Sequence, residues 1–312
     1  MTTEQPSLAT SQPRRSSRRL RVLLSLNVLA LLFFSFTHLD RPTVESFGSL
    51  AEDVYDLFNL RTRTKLRRSA AAQRFIEDVE ALGGEARVVP TKLGVSAGSE
   101  WFEARFRGGT FDDDAFAHLV ELQGVWIEGL SLQDTGVTAA GLVHLRHLAL
   151  LQRLEISNRA GRVDSDGPAP MITDAGLRHL NGLARLMSLD LSGQPVTDAG
   201  IATIEDLPSL STLTLRRTRV SGAGLARFRL LSLLSSLNLD GCEVDEDQIT
   251  ALLRASTLHG LSLRGVPLTK RAVSDFKSIP SLEHLDVSGC GLLDEDLDDL
   301  IECKPDLTVL RQ

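Results

Sequence analysis

The feature that most limits what this chain can fold into is a spacing. Aligned on the second leucine of an L-x-x-L-x-L segment, the sequence returns to register at Leu130, Leu154, Leu189, Leu213, Leu237, Leu261, Leu285 and Leu310, with intervals of 24, 35, 24, 24, 24, 24 and 25 residues. A fixed period of this length specifies stacked supersecondary units, none of which can bury its apolar side without a neighbour. A fully buried leucine contributes roughly 1.5–3 kcal/mol, so a single unit is unstable and a run of them is stable. The 35-residue interval is a regular unit with eleven residues added, and the surplus is visible from Arg159 to Pro170, a stretch of Gly, Pro and charge. Trp101-x-x-Ala104-x-Phe106, continued by Phe111 and Phe116, is a degenerate first unit. Residues 101–312 therefore make about eight coils and a final strand.

Each unit has two halves. In Leu189-Asp-Leu-Ser-Gly-Gln-Pro-Val-Thr-Asp-Ala-Gly-Ile201 a short strand supplies Leu189 and Leu191, a tight loop follows, and Thr197-Asp198 opens a helical segment whose first buried residue is Ile201. Leu186 enters the strand ahead of the two inward leucines. A Thr or Ser hydroxyl accepts from the free N–H groups that open a helix, and an Asp in the first turn complements the helix dipole. Asp245 with Gln248 three residues on provides a related capping pair. Gly141, Gly176, Gly200 and Gly224, at one place in the helical half, let that turn approach the sheet closely. Stacking places the strands side by side about 4.8 Å apart in a parallel sheet.

On these residues the chain resembles leucine-rich repeat proteins. Val196-Thr-Asp-Ala-Gly-Ile201 and Ile172-Thr-Asp-Ala-Gly-Leu177 are similar to the Val-Thr-Asp-Ala-Gly-Leu repeat common in bacterial proteins, which is related to the ribonuclease-inhibitor-like and cysteine-containing repeats. Val137–Leu142 and Val220–Leu225 follow the pattern nearly, and the last units drift to Asp245-Glu-Asp-Gln248 and Asp294-Glu-Asp296. The resemblance implies an α/β leucine-rich repeat solenoid, curved, with a parallel sheet on the concave face and helices on the convex face.

Ahead of the repeats, residues 69–100 form the solenoid's N-terminal cap. Phe75, Val79 and Leu82 share one helical face, Gly83-Gly84 ends that helix, and Ala86 to Val89 is extended. Residues 1–21 are a polar tail with five arginines between Arg14 and Arg21, and residues 40–68 are a juxtamembrane segment holding Arg61, Arg63, Lys65, Arg67 and Arg68. Between them Val22 to Phe36 carries no charge, and the apolar stretch continues to Leu39. Eighteen residues approach the about 20 that a membrane-spanning helix needs, and Ser35-Phe36-Thr37 is a poor signal-peptidase site. Residues 22–39 are read as a single transmembrane anchor or uncleaved signal, with secretion after cleavage as the alternative. The arginines before it place the N-terminus in the cytoplasm and the repeats outside.

Charge narrows the function. Residues 1–68 hold 11 Lys/Arg against 6 Asp/Glu, net +5, and the remainder hold 23 against 35, net −12. An acidic body is the wrong surface for nucleic acid. Cys242, Cys290 and Cys303 lack metal or disulfide spacing; the first two occupy one repeat position two coils apart, too far for a bridge. His118, His144 and His179 recur on successive helices about 8–10 Å apart, too distant to share a metal. Asp294-Glu-Asp-Leu-Asp-Asp299 lacks the alternating ligands of a calcium loop. There is no phosphate loop, G-x-S-x-G or H-E-x-x-H, so neither a cofactor nor catalysis is expected.

Binding is expected on the sheet, where three outward columns alternate with the leucines. Their candidate contact residues are Arg153, Glu155, Asp190, Arg216, Asn238, Asp240, Arg264, His284 and Asp286. Arginine is the hot-spot residue type these columns offer. The insertion, with Arg159, Arg162, Asp164 and Asp166, is a second candidate, because repeat insertions often project at binding faces. The expected function is a membrane-anchored, non-enzymatic recognition or scaffold protein that binds another protein or an envelope component. The alternatives are a structural envelope protein without a specific ligand and a ubiquitin-ligase-type adaptor.

Overall fold

The computed structural model describes residues 70–89, 101–122, 126–158, 172–227, 231, 233–253 and 258–311. The expected membrane segment 22–39, the basic residues around it and the insertion with Arg159, Arg162, Asp164 and Asp166 lie outside these residues. Among the described residues no helix is long and apolar enough to cross a membrane.

The chain forms helix α1 (Ala70–Ala81), strand β1 (Gly84–Val89), β2 (Trp101–Arg107), α2 (Asp113–Glu121) and β3 (Trp126–Gln133). A 3-10 segment (Gly141–His147) leads to β4 (Arg153–Glu155) and α3 (Asp174–Leu177), which a second 3-10 turn (Arg178–Leu180) extends. Then follow β5 (Ser188–Asp190), α4 (Asp198–Ile204), β6 (Thr212–Thr214), α5 (Gly222–Leu225), β7 (Ser236–Asn238) and α6 (Glu246–Leu253). The last elements are β8 (Gly260–Ser262), α7 (Lys270–Lys277), β9 (His284–Asp286), α8 (Asp294–Cys303) and β10 (Thr308–Leu310). The ten strands form one sheet in chain order. β1 pairs antiparallel with β2, and every later pair is parallel, so the chain is an α/β solenoid.

The register follows the leucines. Leu130, Leu154, Leu189, Leu213, Leu237, Leu261 and Leu285 are successive partners across the sheet and all are buried. Leu186 is buried as completely as Leu189 and Leu191, but it lies ahead of the strand, which begins at Ser188. The alignment fails at the end of the chain. Val309, not Leu310, pairs with Leu285, so the last coil has the regular 24 residues and Leu310 stands outward opposite Asp286, 56% exposed. In the first coils phenylalanine replaces leucine: Phe102, Phe106, Phe111 and Phe116 are buried, and the Phe106 and Phe111 rings stack at 3.7 Å. Helix α1 packs against this end, with buried Ala72, Phe75, Ile76 and Val79 and with Phe75 4.6 Å from the ring of Phe102.

The helical half holds adjacent coils together. Thr197 caps α4 by accepting from the Ala199 N–H, as the sequence implies. Its own N–H and hydroxyl both donate to the Asp174 carboxylate of the preceding coil, at 2.8 and 2.6 Å. Ser221 donates in the same way to Asp198, at 2.7 and 2.5 Å, and Thr138 to Asp113, at 2.7 and 2.6 Å. The aspartate therefore does more than face its own helix dipole: it pins the next coil. The glycine has a correspondingly different role from the close approach to the sheet expected above. A Cβ on Gly200 would lie 2.4 Å from Asp174 Oδ1, one on Gly224 2.4 Å from Asp198 Oδ1, and one on Gly141 2.0 Å from Asp113 Oδ1. Glycine leaves the space that the pinning carboxylate fills.

Where the aspartate is missing the partners change. Ala139 replaces it before Thr173, which has no side-chain cap bond, and a Cβ on Gly176 would meet Ala139 Cβ at 3.0 Å. Gly222 replaces it before Asp245, and Gln248 fills the vacated volume, its side chain 2.1 Å from where a Gly222 Cβ would stand. There a capping box takes over: the Gln248 N–H donates to Asp245 Oδ1 and the Asp245 N–H to Gln248 Oε1. Cys242 and Cys290 are free and buried, their thiols donating to the Leu215 and Leu263 carbonyls of the preceding coils at 3.0 Å. Burial pushes both thiols up in pKa, as befits packing groups rather than nucleophiles.

Candidate functional site

The sheet register brings the first two expected columns together. Gly129, Arg153, Ser188, Thr212, Ser236, Gly260 and His284 are consecutive cross-strand partners, as are Ser131, Glu155, Asp190, Thr214, Asn238, Ser262 and Asp286. The third column turns into the loop after each strand, and part of it is internal. Gln133, Ser157, Asp240 and Ser288 are buried, whereas Arg216 and Arg264 are exposed. Asp240, expected to face outward, is therefore buried within the coil. At 8% exposure it accepts from the Ser262 hydroxyl, the Arg264 N–H and the Asn238 amide, tying two coils together.

The other expected acids are also engaged within the sheet. Glu155 accepts from Ser131 and Ser157 at 2.8 Å and from Gln133 at 2.9 Å. Asp190 accepts from the Ser192 N–H and hydroxyl, and Asp286 from those of Ser288. Asn238 accepts from the Asp240 N–H at 2.9 Å. His284 is exposed on β9, apart from the charged groups at the other end of the sheet.

Arg153 is organised differently. Its guanidinium reaches from β4 to Glu103 Oε1 on β2 at 2.6 Å and to Glu128 Oε1 on β3 at 3.0 Å. The reach is possible because the strand position between is Gly129, where a Cβ would lie 2.9 Å from Glu103 Cγ and 3.5 Å from Arg153 Nε. Glu103 also receives Arg87 from β1, and Arg105 lies 3.9 Å away. One carboxylate, 12% exposed, therefore gathers three arginines from β1, β2 and β4, while the Arg153 side chain stays 44% exposed.

Beside this cluster stand the chain's two tryptophans. Trp101 and Trp126 are direct cross-strand partners, and their rings stack at 6.4 Å with 30° between planes. Phe102 and Ile127, their neighbours in chain, point into the core, so both indoles face outward with Glu103. Trp126 is 46% exposed, and Trp101 Nε1 has no hydrogen-bond partner among the described residues. The expected columns began at Gly129 and missed this pair because the first coil lacks the leucines that set the alignment. A signal was present, since Trp101 and Trp126 lie 25 residues apart in the sequence, within one residue of the repeat length. Stacked tryptophans beside a bridged, half-exposed arginine are the residue types that dominate protein interfaces. Among the described residues no group of His, Cys, Asp and Glu is arranged to hold a metal ion.

No protein-family model matches the chain, and no curated protein matches it in sequence. Among solved structures it is similar to an internalin C2 of Listeria monocytogenes, with 20% identity and a TM-score of 0.45 over 68% of this chain and 80% of that one. It is also similar to an internalin, inlF, of the same organism, with 17% identity and a TM-score of 0.41 over 64% of this chain and 51% of that one. The fold itself rests on the chain's own repeat and sheet register: it is a leucine-rich repeat solenoid.

Proposed function

We propose that this protein is a non-enzymatic recognition protein that binds a protein partner on the open face of its sheet, at the end formed by β1 to β4. The observation that carries this reading is the joining of stacked Trp101 and Trp126 to the Arg153–Glu103–Glu128 bridge on one outward surface. Aromatic rings supply large contact area with little rotamer entropy to lose, and a carboxylate-held arginine presents its remaining donors in a fixed direction. On this reading residues 22–39 anchor the chain in a membrane with the repeats outside the cytoplasm, where the partner is another protein or an envelope component. Cleavage and secretion would leave the same surface available.

Crosslinking in intact cells, followed by purification and quantification of what is captured, tests the reading. The wild-type chain is expected to enrich a specific partner that Trp126→Ala and Arg153→Gln lose, while Trp126→Ala melts as the wild type does. Equal capture by all three proteins would remove recognition from this surface. A reporter enzyme fused after Gln312 that is active only in the cytoplasm would overturn the proposed topology.

A further inference from the structure

The coil that runs from β6 to β7 departs from the rest of the molecule in charge. From Leu207 to Leu239 the sequence has five arginines and no aspartate or glutamate, within a body whose net charge is −12. Of these, Arg227 pairs with Glu205 of the preceding helix at 2.8 Å. Arg216 and Arg217 are exposed, and neither forms an ion pair among the described residues. Arg264, exposed at the same repeat position as Arg216 two coils on, forms none either.

The backbone of Arg217 adds an independent observation. Its φ is +55°, at the turn where four other coils place Gly193, Gly241, Gly265 and Gly289 with φ of +71°, +64°, +74° and +69°, and where the coil of β3 places the shorter Asp134 at +53°. The left-handed region is open to glycine and unfavourable for a long side chain, and strain of this kind concentrates at functional positions. The Arg217 stem lies across the next coil, its Cγ 3.4 Å from where a Cβ on Gly241 would be. One coil further, a Cβ on Gly265 would meet nothing within 4 Å. Arg216, Arg217 and Arg264 thus surround a rim of glycines, with Arg216 and Arg264 about 10 Å apart at two strand spacings. The carboxylate between them, Asp240, is buried and bonded to Ser262, Asn238 and the Arg264 N–H.

We propose that this rim docks an acidic peptide segment of a protein partner, with Arg216, Arg217 and Arg264 taking its carboxylates. The inference rests on the protein-recognition reading above. Guanidinium matches carboxylate and phosphate alike in a bidentate fork, so the choice between them comes from the surroundings. Asp190 and Asp286 lie on neighbouring strands and Glu243 is exposed on the same rim one coil beyond Arg219. A uniformly charged polyphosphate runs against these acids. An extended peptide sets alternate side chains about 7 Å apart on one side, and can present carboxylates to the arginines and neutral groups elsewhere.

Fluorescence anisotropy tests this with the full chain in detergent and a labelled peptide of alternating Glu and Ser. The peptide is expected to bind, more weakly at about 300 mM than at about 50 mM salt. Arg216→Gln is expected to weaken it about tenfold, the loss of one charge-assisted fork. Arg217→Gly is expected to weaken it similarly while raising the melting temperature, because glycine relieves the backbone at φ +55°. A purely structural role for Arg217 would not move affinity and stability in opposite directions. Absence of peptide binding, binding unchanged in both variants, or tighter binding of inorganic polyphosphate than of peptide would each overturn the proposal. Trp126→Ala is expected to bind the peptide normally. If the peptide fails while Trp126→Ala still loses the crosslinked partner, this inference falls and the recognition reading stands. If the peptide binds while the crosslinked partner is insensitive to Trp126, the reverse holds.

Discussion

The helical rim and the open face near β1 to β4 are both rich in polar residues, but they use them in opposite ways. On the rim the polar groups are turned inward to the next coil: Asp174 receives both donors of Thr197, Asp198 both donors of Ser221, and glycine leaves room for the carboxylate. On the open face Arg153 is bridged to two glutamates yet remains 44% exposed, and Trp126 stands beside it at 46%. The difference separates the polar groups that specify the coil from those left open to solvent. The most recognisable motif in the sequence is the inter-coil fastening, and the candidate site lies where the motif is weakest.

Four substitutions in the coil framework test this division. Leu237→Asp buries an unpaired charge in the middle of the leucine ladder, and should destabilise by about 4–5 kcal/mol and melt several coils. Hydrogen exchange should show protection lost across β6 to β8. Gly200→Ala places a methyl group 2.4 Å from Asp174 Oδ1, 2.8 Å from Val196 and 2.9 Å from Leu177. Overpacking of this kind costs roughly 2–3 kcal/mol, readable in urea unfolding.

Asp198→Ala deprives the Ser221 N–H and hydroxyl of a charged acceptor, for a loss of about 1.5 kcal/mol at a partly buried site. The smallest effect runs the other way. Ala139→Asp supplies the missing carboxylate opposite Thr173, and Gly176 already provides the space, so a gain of about 1 kcal/mol in unfolding free energy, read in urea unfolding, is expected. A loss there instead would mean that the insertion between these coils has altered their register.

The solenoid is legible because its signal is carried by burial at a fixed period, and the seven aligned leucines from Leu130 to Leu285 are successive partners across the sheet. Leu310 did not, since a leucine one residue out of step satisfied the pattern by eye while Val309 satisfied it in the sheet. The pin between coils was hidden because it joins residues more than twenty apart, such as Asp174 and Thr197, whereas the reading treated each motif within its own helix. A trace of it was available: Asp at the third motif position is followed one coil later by Gly at the fifth, and Gly222 by Gln248 instead. The candidate site is legible only in part. Arg153 is evident in the sequence, but its link to Glu103 spans fifty residues, and the tryptophans lie in the coil where aromatic residues replace the leucine signal. Asp240 is buried because strand alternation does not continue into the turn.

The dissociation constant of the crosslinked partner, measured for folded Trp126→Ala and Asp198→Ala proteins beside the wild type, separates recognition from fastening. Trp126→Ala is expected to bind at least about tenfold more weakly with its melting temperature preserved, and Asp198→Ala to melt earlier but bind as the wild type does. Wild-type affinity in Trp126→Ala, or weakened affinity in Asp198→Ala alone, would contradict recognition at the tryptophan pair.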